Sequence, residues 1–129
     1  MSLEVDIYPP VNGNQYVVLT GRLDSDSHEQ LDDALEPLLA AAHPSMVLVL
    51  ELARLDYISS AGIRSILKAR KLLAPGGKVL VVHPQAQIRK VLDMVQALPV
   101  SDIFATTAEV DAYLDKLQRE MLHGSDDEA

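Results

Sequence analysis

The stretch from residue 48 to residue 67, L-V-L-E-L-A-R-L-D-Y-I-S-S-A-G-I-R-S-I-L, decides which fold this chain is expected to adopt. It opens inside a largely apolar run, Met46–Leu52, which is typical of a strand buried on both faces of a parallel sheet. It closes with Ile63, Ile66 and Leu67 at offsets of three and four residues, which is typical of an amphipathic helix. We therefore predict a strand, a loop, and a helix that packs these three side chains into the core.

The paired serines Ser59 and Ser60 lie where this strand hands over to the helix. The first N–H groups of a helix have no partner inside it and carry partial positive charge. Such a position suits a reachable hydroxyl that accepts a phosphate. The alternative is that one of the serines only caps the helix through a side-chain hydrogen bond. The local sequence leaves both interpretations open.

Outside this stretch, apolar periodicity predicts further strands and helices on both sides. It predicts strands at 3–7, 16–19, 78–82 and 103–104, and helices that begin near Ser27, Pro84 and Thr106. Ser27 with Gln30, and Thr106 with Glu109, fit capping boxes. The predicted fold is α/β, a mixed sheet of four to five strands flanked by about four helices in the order β-β-α-β-α-β-α-β-α. We assign residues 1–122 to a single domain and residues 123–129 to an acidic mobile tail.

The composition limits the classes of partner. The chain has 129 residues and a net charge of −8 at pH 7, and because phosphate backbones need clustered Lys and Arg, nucleic acid is excluded as a partner. The chain has no Cys, which excludes a disulfide framework and thiolate chemistry. No apolar run approaches the length of a membrane span. We expect no membrane insertion, a cytoplasmic location, and a monomer when the protein is free.

The sequence lacks the motifs that would point to catalysis. Ser60 does not stand in a G-x-S-x-G motif, and the chain has no P-loop. None of its four histidines pairs with another at metal-ligand spacing, so we expect no metal and no cofactor. His83 follows a predicted strand end, where it either approaches the serines or serves as a polar loop residue. We expect a binding protein rather than an enzyme, and the rival reading, a small serine hydrolase, predicts ester turnover that Ser60→Ala abolishes.

Three segments together resemble one protein family. Ile58–Arg64, I-S-S-A-G-I-R, resembles the loop before the second helix of the STAS family, most closely that of its one-domain anti-sigma factor antagonists. Leu19–Asp24 is similar to the family's L-x-G-x-L-D turn, and Val91–Met94 to its R-x-x-L-D segment. Three motifs in the right order and spacing are fairly specific. The resemblance covers about residues 3–118 and implies the STAS fold.

The resemblance also implies roles for individual residues. The family's phosphorylated serine falls on Ser60, and Ser59 stays open as a second acceptor, standing where many members carry Asp. The implied partner is an anti-sigma factor with serine kinase activity, which is bound by the unphosphorylated protein and released on phosphorylation. A PP2C-type phosphatase is implied to restore the serine. The residues implied in partner binding are Asp24, Ser25, Tyr57, Ile58, Ser59, Ala61, Gly62 and Arg64.

Several of these assignments have alternatives. Asp24 also fits an ordinary helix-start acid, stabilised by the N–H groups of the first turn. The basic residues of the second helix form either a solvated face or a docking surface for an acidic partner; they are Arg64, Lys68, Arg70 and Lys71. A rival function from another class is a STAS accessory subunit that docks on the ATPase of a membrane transporter complex. That rival predicts an unphosphorylated Ser60.

Overall fold

The predicted order of strands and helices is confirmed. The computed structural model describes residues 3–99 and 102–127. Its elements are β1 (Leu3–Ile7), β2 (Asn14–Leu23), α1 (His28–Ala40), β3 (Val47–Ile58), α2 (Ser60–Leu73), β4 (Lys78–Val82), α3 (Ala86–Met94), β5 (Ile103–Phe104) and α4 (Thr107–Asp127). The helix α4 continues past residue 122, where the sequence suggested a tail, and the last two residues of that tail, 128 and 129, lie outside the described residues.

The five strands form one mixed sheet in the order β1-β2-β3-β4-β5. β1 is antiparallel to β2, and every later pair is parallel. The hairpin that joins β1 and β2 turns through Asn12 and Gly13, whose φ angles are 53° and 79°. Two consecutive positive φ angles match the right-handed twist of the strands that such a turn connects, which is why Asn-Gly is favoured there.

The sheet carries an apolar core on each face. On one face, alternate residues of β3 pack against α1, α2 and α3; the fully buried members include Leu48, Leu50, Leu52, Leu31, Ile66 and Leu92. On the other face, the remaining β3 residues pack against α4; this smaller cluster includes Val47, Val49, Leu80, Val82, Val110 and Leu114. β3 is therefore buried on both sides, as its largely apolar sequence predicts.

The predicted end of β3 is wrong, because the strand runs six residues beyond Leu52. Residues 53–58 were expected to form a loop, yet they continue the parallel ladder with the long strand β2, up to the pair Leu23 and Ile58. Two register shifts interrupt this part of the ladder. Such bulges break the two-residue alternation of side chains, so the buried residues Leu55 and Ile58 fall three apart. Strands are recognised in a sequence by a two-residue alternation of apolar and polar residues, so a spacing of three did not indicate a strand here.

One core assignment on α2 is also wrong. Ile63 and Ile66 are buried as predicted, but Leu67 is 38% exposed. Consecutive helix residues are rotated by about 100°, so Leu67 points away from the sheet when Ile66 points into it. Ala69 and Leu73 complete the buried stripe instead.

Candidate partner-binding site

The two serines lie at the carboxyl edge of the sheet, where β3 passes directly into α2. Ser59 is the only residue between the strand and the helix. Its backbone N–H donates to the carbonyl oxygen of Leu23, the last residue of β2, at 2.9 Å. The serines are therefore fixed to the ends of two neighbouring strands rather than carried on a flexible loop.

The structure gives the two serines different surroundings. Ser59 is the N-cap of α2, and its Oγ accepts a hydrogen bond from the N–H of Gly62 at 3.4 Å. Ser60 is the first helical residue and its side chain is exposed. Within the described residues no group is hydrogen-bonded to the Ser60 hydroxyl. The capping role that the sequence left open falls to Ser59, and the Ser60 hydroxyl faces solvent.

This difference predicts different stability effects for the two alanine variants. Ser59→Ala is expected to lower the free energy of unfolding by about 1 kcal/mol, because an N–H of the first turn loses its acceptor. Ser60→Ala should change it by less than about 0.5 kcal/mol, as for other exposed side chains. Urea unfolding of both variants measures the two values. A larger loss for Ser60→Ala would contradict the assignment of the cap.

The first turn of α2 is pressed against the end of β2. Ala61 and Gly62 are buried, and so is Ile58 at the end of β3. A Cβ atom placed on Gly62 would lie 2.7 Å from Cγ of Leu23 and 2.8 Å from the Leu23 carbonyl oxygen. The buried base of the site is therefore formed by three of the residues implied in partner binding, Ile58, Ala61 and Gly62. Three others are exposed: Ser25, Tyr57 and Arg64.

Gly62→Ala is expected to destabilise the protein by about 1–3 kcal/mol, because the added methyl group meets backbone that cannot move aside without disturbing β2. The same displacement should shift the backbone of Ser59 and Ser60. Thermal unfolding and NMR chemical shifts of the serine amides measure the two effects. An unchanged melting temperature would show that the approach of α2 to β2 is looser than the structure indicates.

Beside the serines, the turn between β2 and α1 is held by a network of side chains. The hydroxyl of Ser27 donates to the carbonyl oxygen of Arg22 at 2.7 Å and accepts from the N–H of Asp24 at 3.0 Å. The predicted capping box at Ser27 is therefore wrong, since Ser27 makes no side-chain cap bond, and Gln30 donates instead to the carbonyl oxygen of Leu3. The second predicted box is half formed: Thr106 Oγ1 accepts from the N–H of Glu109, but the Glu109 carboxylate accepts from the N–H of Ala105.

Asp24 is a preorganised carboxylate in this turn. Partial desolvation acts to raise its pKa, but hydrogen bonds from the Asp26 N–H and from Ser27, together with nearby Arg22, leave the pKa below its ordinary value. The carboxylate is thus kept ionised. Because the pKa is depressed in the folded state, these contacts stabilise the turn at neutral pH and are lost only as the pH falls through that lowered value.

Arg22 is a site residue that the sequence analysis did not single out. Its Nε lies 3.5 Å from Asp24 Oδ2, and its Cζ lies 4.1 Å from the centre of the Tyr57 ring. Arg22 and Tyr57 are paired across β2 and β3 just beyond a register shift. Because that pairing depends on the shift, no spacing in the sequence indicates it.

His83 is not placed at the serines. Its Nδ1 lies 3.0 Å from Glu51 Oε2, and in the described part of the chain no histidine is hydrogen-bonded to Ser59 or Ser60. The base that a serine nucleophile requires is therefore not positioned by a histidine among these residues. The same described residues include no cluster of three or more His, Asp or Glu side chains that could hold a metal ion.

Comparisons with known proteins agree with this architecture. A family model described as "Mlab, STAS domain" matches residues 12–103. No curated protein matches the chain by sequence.

None of the helices in the described ranges is long and apolar enough to cross a membrane.

Three solved structures illustrate the likeness. The anti-sigma factor antagonist SpoIIAA in its unphosphorylated form is 19% identical, with a TM-score of 0.72 over 88% of this chain and 97% of that chain. The Bacillus cell fate determinant SpoIIAA in its phosphorylated form is 19% identical, with a TM-score of 0.67 over 86% and 99%. A sulfate transporter family protein from Wolinella succinogenes is 16% identical, with a TM-score of 0.70 over 87% and 93%. At these identities the likeness establishes the fold alone.

Proposed function

Because the chain belongs to the STAS domain family, we propose that it is an anti-sigma factor antagonist that switches partners on phosphorylation of Ser60. The observation that carries this proposal is the division of roles between the serines: Ser59 caps α2, and Ser60 presents an exposed hydroxyl at its first helical position. The base of the site consists of the buried residues Ile58, Ala61 and Gly62, and Ser60 is exposed at its surface. That arrangement suits recognition by another protein, and it suits a group that is modified without disturbing the fold.

The proposed covalent step belongs to the partner. A kinase transfers the γ-phosphoryl group of ATP to Ser60 Oγ; the O–P bond to the serine forms as the bond to ADP breaks, and the hydroxyl proton passes to a base of the kinase. A PP2C-type phosphatase hydrolyses the ester with water, which restores the serine hydroxyl and releases inorganic phosphate. In this proposal the catalytic residues, the metal and the ATP belong to the kinase and the phosphatase. The new dianion lies at the N-terminus of α2, where unpaired N–H groups and the helix dipole favour negative charge.

In its unphosphorylated form the protein binds the kinase, an anti-sigma factor, and so releases that kinase's client. The contact surface comprises the exposed residues Ser25, Tyr57 and Arg64 around Ser60, together with the partly buried Asp24. Arg22 joins this set through its contacts with Asp24 and Tyr57. We further propose that residues 1–122 act as one cytoplasmic regulatory domain, monomeric until it meets its partner.

The test is to purify the protein from its own cells together with its partners. Mass spectrometry then identifies the partners and locates any phosphate on the protein. We expect a kinase among the partners and a phosphate on Ser60. Incubating the purified complex with ATP should then add one phosphate to the wild type and to Ser59→Ala, and none to Ser60→Ala. A phosphate on Ser59 alone would refute the assignment of Ser60. The absence of any phosphate would refute the switch.

A second candidate function is supported by the comparisons. One similar structure is a sulfate transporter family protein. The second function that we propose is therefore a STAS subunit that docks on the ATPase of a membrane transporter complex. The two functions predict different results in the same capture experiment: the second gives a transport ATPase as partner and leaves Ser60 unmodified.

A further inference from the structure

A groove between α1 and α2 lies on the outer surface of the helix layer. It encloses about 440 Å³ and is lined by apolar side chains from both helices, among them Leu39, Ala69 and Leu72. Leu72, which is 61% exposed, leaves much of its apolar surface open to a partner. The groove starts below the serines, because Ser65, five residues after Ser60, also lines it.

The charged residues around this groove are acidic on the α1 side and basic on the α2 side. α1 contributes Asp32, Asp33 and Glu36, and α2 contributes Lys68. Asp32 lies 3.7 Å from His28 Nδ1. Within residues 3–99 and 102–127, no ion pair includes Asp33, Glu36 or Lys68. Unpaired carboxylates along the edge of an apolar strip form the kind of rim that an oppositely charged partner complements.

We infer that this groove binds an amphipathic helix of the protein partner, whose apolar stripe carries Lys or Arg along the one flank that faces α1. A helix satisfies its own backbone hydrogen bonds, and the walls of the groove are two helices that offer no strand edge to an extended peptide. The apolar stripe covers Leu72 and its neighbours, and the basic flank meets Asp33 and Glu36. The assignment of that helix to the kinase rests on the function proposed above. The groove itself does not depend on it.

The experiment uses the full chain and a synthetic helical peptide of about 18 residues, with leucines at i, i+3, i+4 and i+7 spacing and lysines on one flank of that stripe. Fluorescence anisotropy of the labelled peptide measures its affinity. Leu72→Gln removes the apolar contact without changing the charge, and should weaken binding about tenfold. Its matched control is Leu67→Gln, on the same helix but outside the groove lining, which should change the affinity by less than about threefold.

The rim is tested by charge reversal. Asp33→Lys with Glu36→Lys should weaken peptide binding by about tenfold or more. The control, Glu4→Lys with Asp6→Lys on β1, makes the same change in net charge at exposed positions away from the groove and should have much less effect. Melting temperatures of all four variants confirm that they are folded.

Two results would overturn the inference. Equal losses for the two double variants would mean that the peptide responds only to the negative charge of the whole protein. A wild-type chain that is dimeric by light scattering, and becomes monomeric with Leu72→Gln, would mean that a second copy occupies the groove. Neither kinase nor ATP is present in this assay, so its outcome is independent of whether Ser60 is phosphorylated.

Discussion

Ser60→Asp is expected to weaken binding of the proposed kinase partner by about a hundredfold or more, whereas Ser60→Ala should bind like the unphosphorylated wild type. Ser60 is exposed and lies at the centre of the proposed contact surface. A charge introduced there must lose water in the complex without a counter-charge built to receive it. Such a mismatch typically costs several kcal/mol, which corresponds to two or more orders of magnitude in affinity.

The same substitution should leave the fold intact. An acid at the first helical position interacts favourably with the N–H groups and the dipole of α2, so the melting temperature of Ser60→Asp should stay close to that of the wild type. Phosphoserine, with about −1.5 to −2 charge at neutral pH, should be tolerated in the same way. The effect is thus expected at the interface and not in the stability of the free protein.

Ser60→Asn is the matched control, because it has nearly the size of Asp and no charge. We expect its affinity for the partner to lie much nearer to that of Ser60→Ala than to that of Ser60→Asp. Titration of the three variants against the captured kinase, with thermal melts alongside, measures both properties. Equal affinity for the Asp and Ala variants would reject the switch, and equal losses for Asp and Asn would assign the effect to size. A collapsed melt for Ser60→Asp would show a structural role.

The second large effect is expected in the core of α2. Ile66→Ala should lower the free energy of unfolding by about 2–5 kcal/mol, because Ile66 is fully buried between the sheet and its flanking helices. The truncation leaves a cavity as well as losing apolar contact. Because α2 begins at Ser60, the same change should loosen the turn that positions the serine.

Leu67→Ala provides the comparison within the same helix. Leu67 keeps 38% of its surface exposed, so its truncation should cost less than about 1 kcal/mol. Urea unfolding of the two variants measures the difference. Similar losses would contradict the orientation of α2 seen in the structure and would restore the core assignment that the sequence favoured.

Much of the fold could be predicted because it depends on local patterns. The apolar strands β3 and β4, the Asn12-Gly13 turn and the helical spacing of Ile63 and Ile66 are properties of short segments. Their sequence order then restricts the topology, since strands that alternate with helices form parallel crossovers. The motif around Ser60 likewise depends on adjacent residues, and so its position at the start of a helix could be predicted.

Other features depend on contacts between distant parts of the chain. Residues 53–58 extend β3 because the long strand β2 lies beside them, and the register shifts break the side-chain alternation that would indicate a strand in their sequence. Leu67 looked like a core residue, but the narrow face that α2 presents to the sheet leaves it at the surface. Arg22 meets Tyr57 only because a register shift places the two side by side.

The sequence by itself determined the succession of elements and the position of the serine pair between β3 and α2. Only the tertiary structure distinguished Ser59 from Ser60, because their roles depend on how α2 leaves the sheet. Two contacts determine the direction in which α2 leaves the sheet. They are the hydrogen bond from the Ser59 N–H to the Leu23 carbonyl oxygen and the close approach of Gly62 to β2. Ser59 Oγ is thereby directed to the first turn of α2, and the Ser60 hydroxyl is left at the surface.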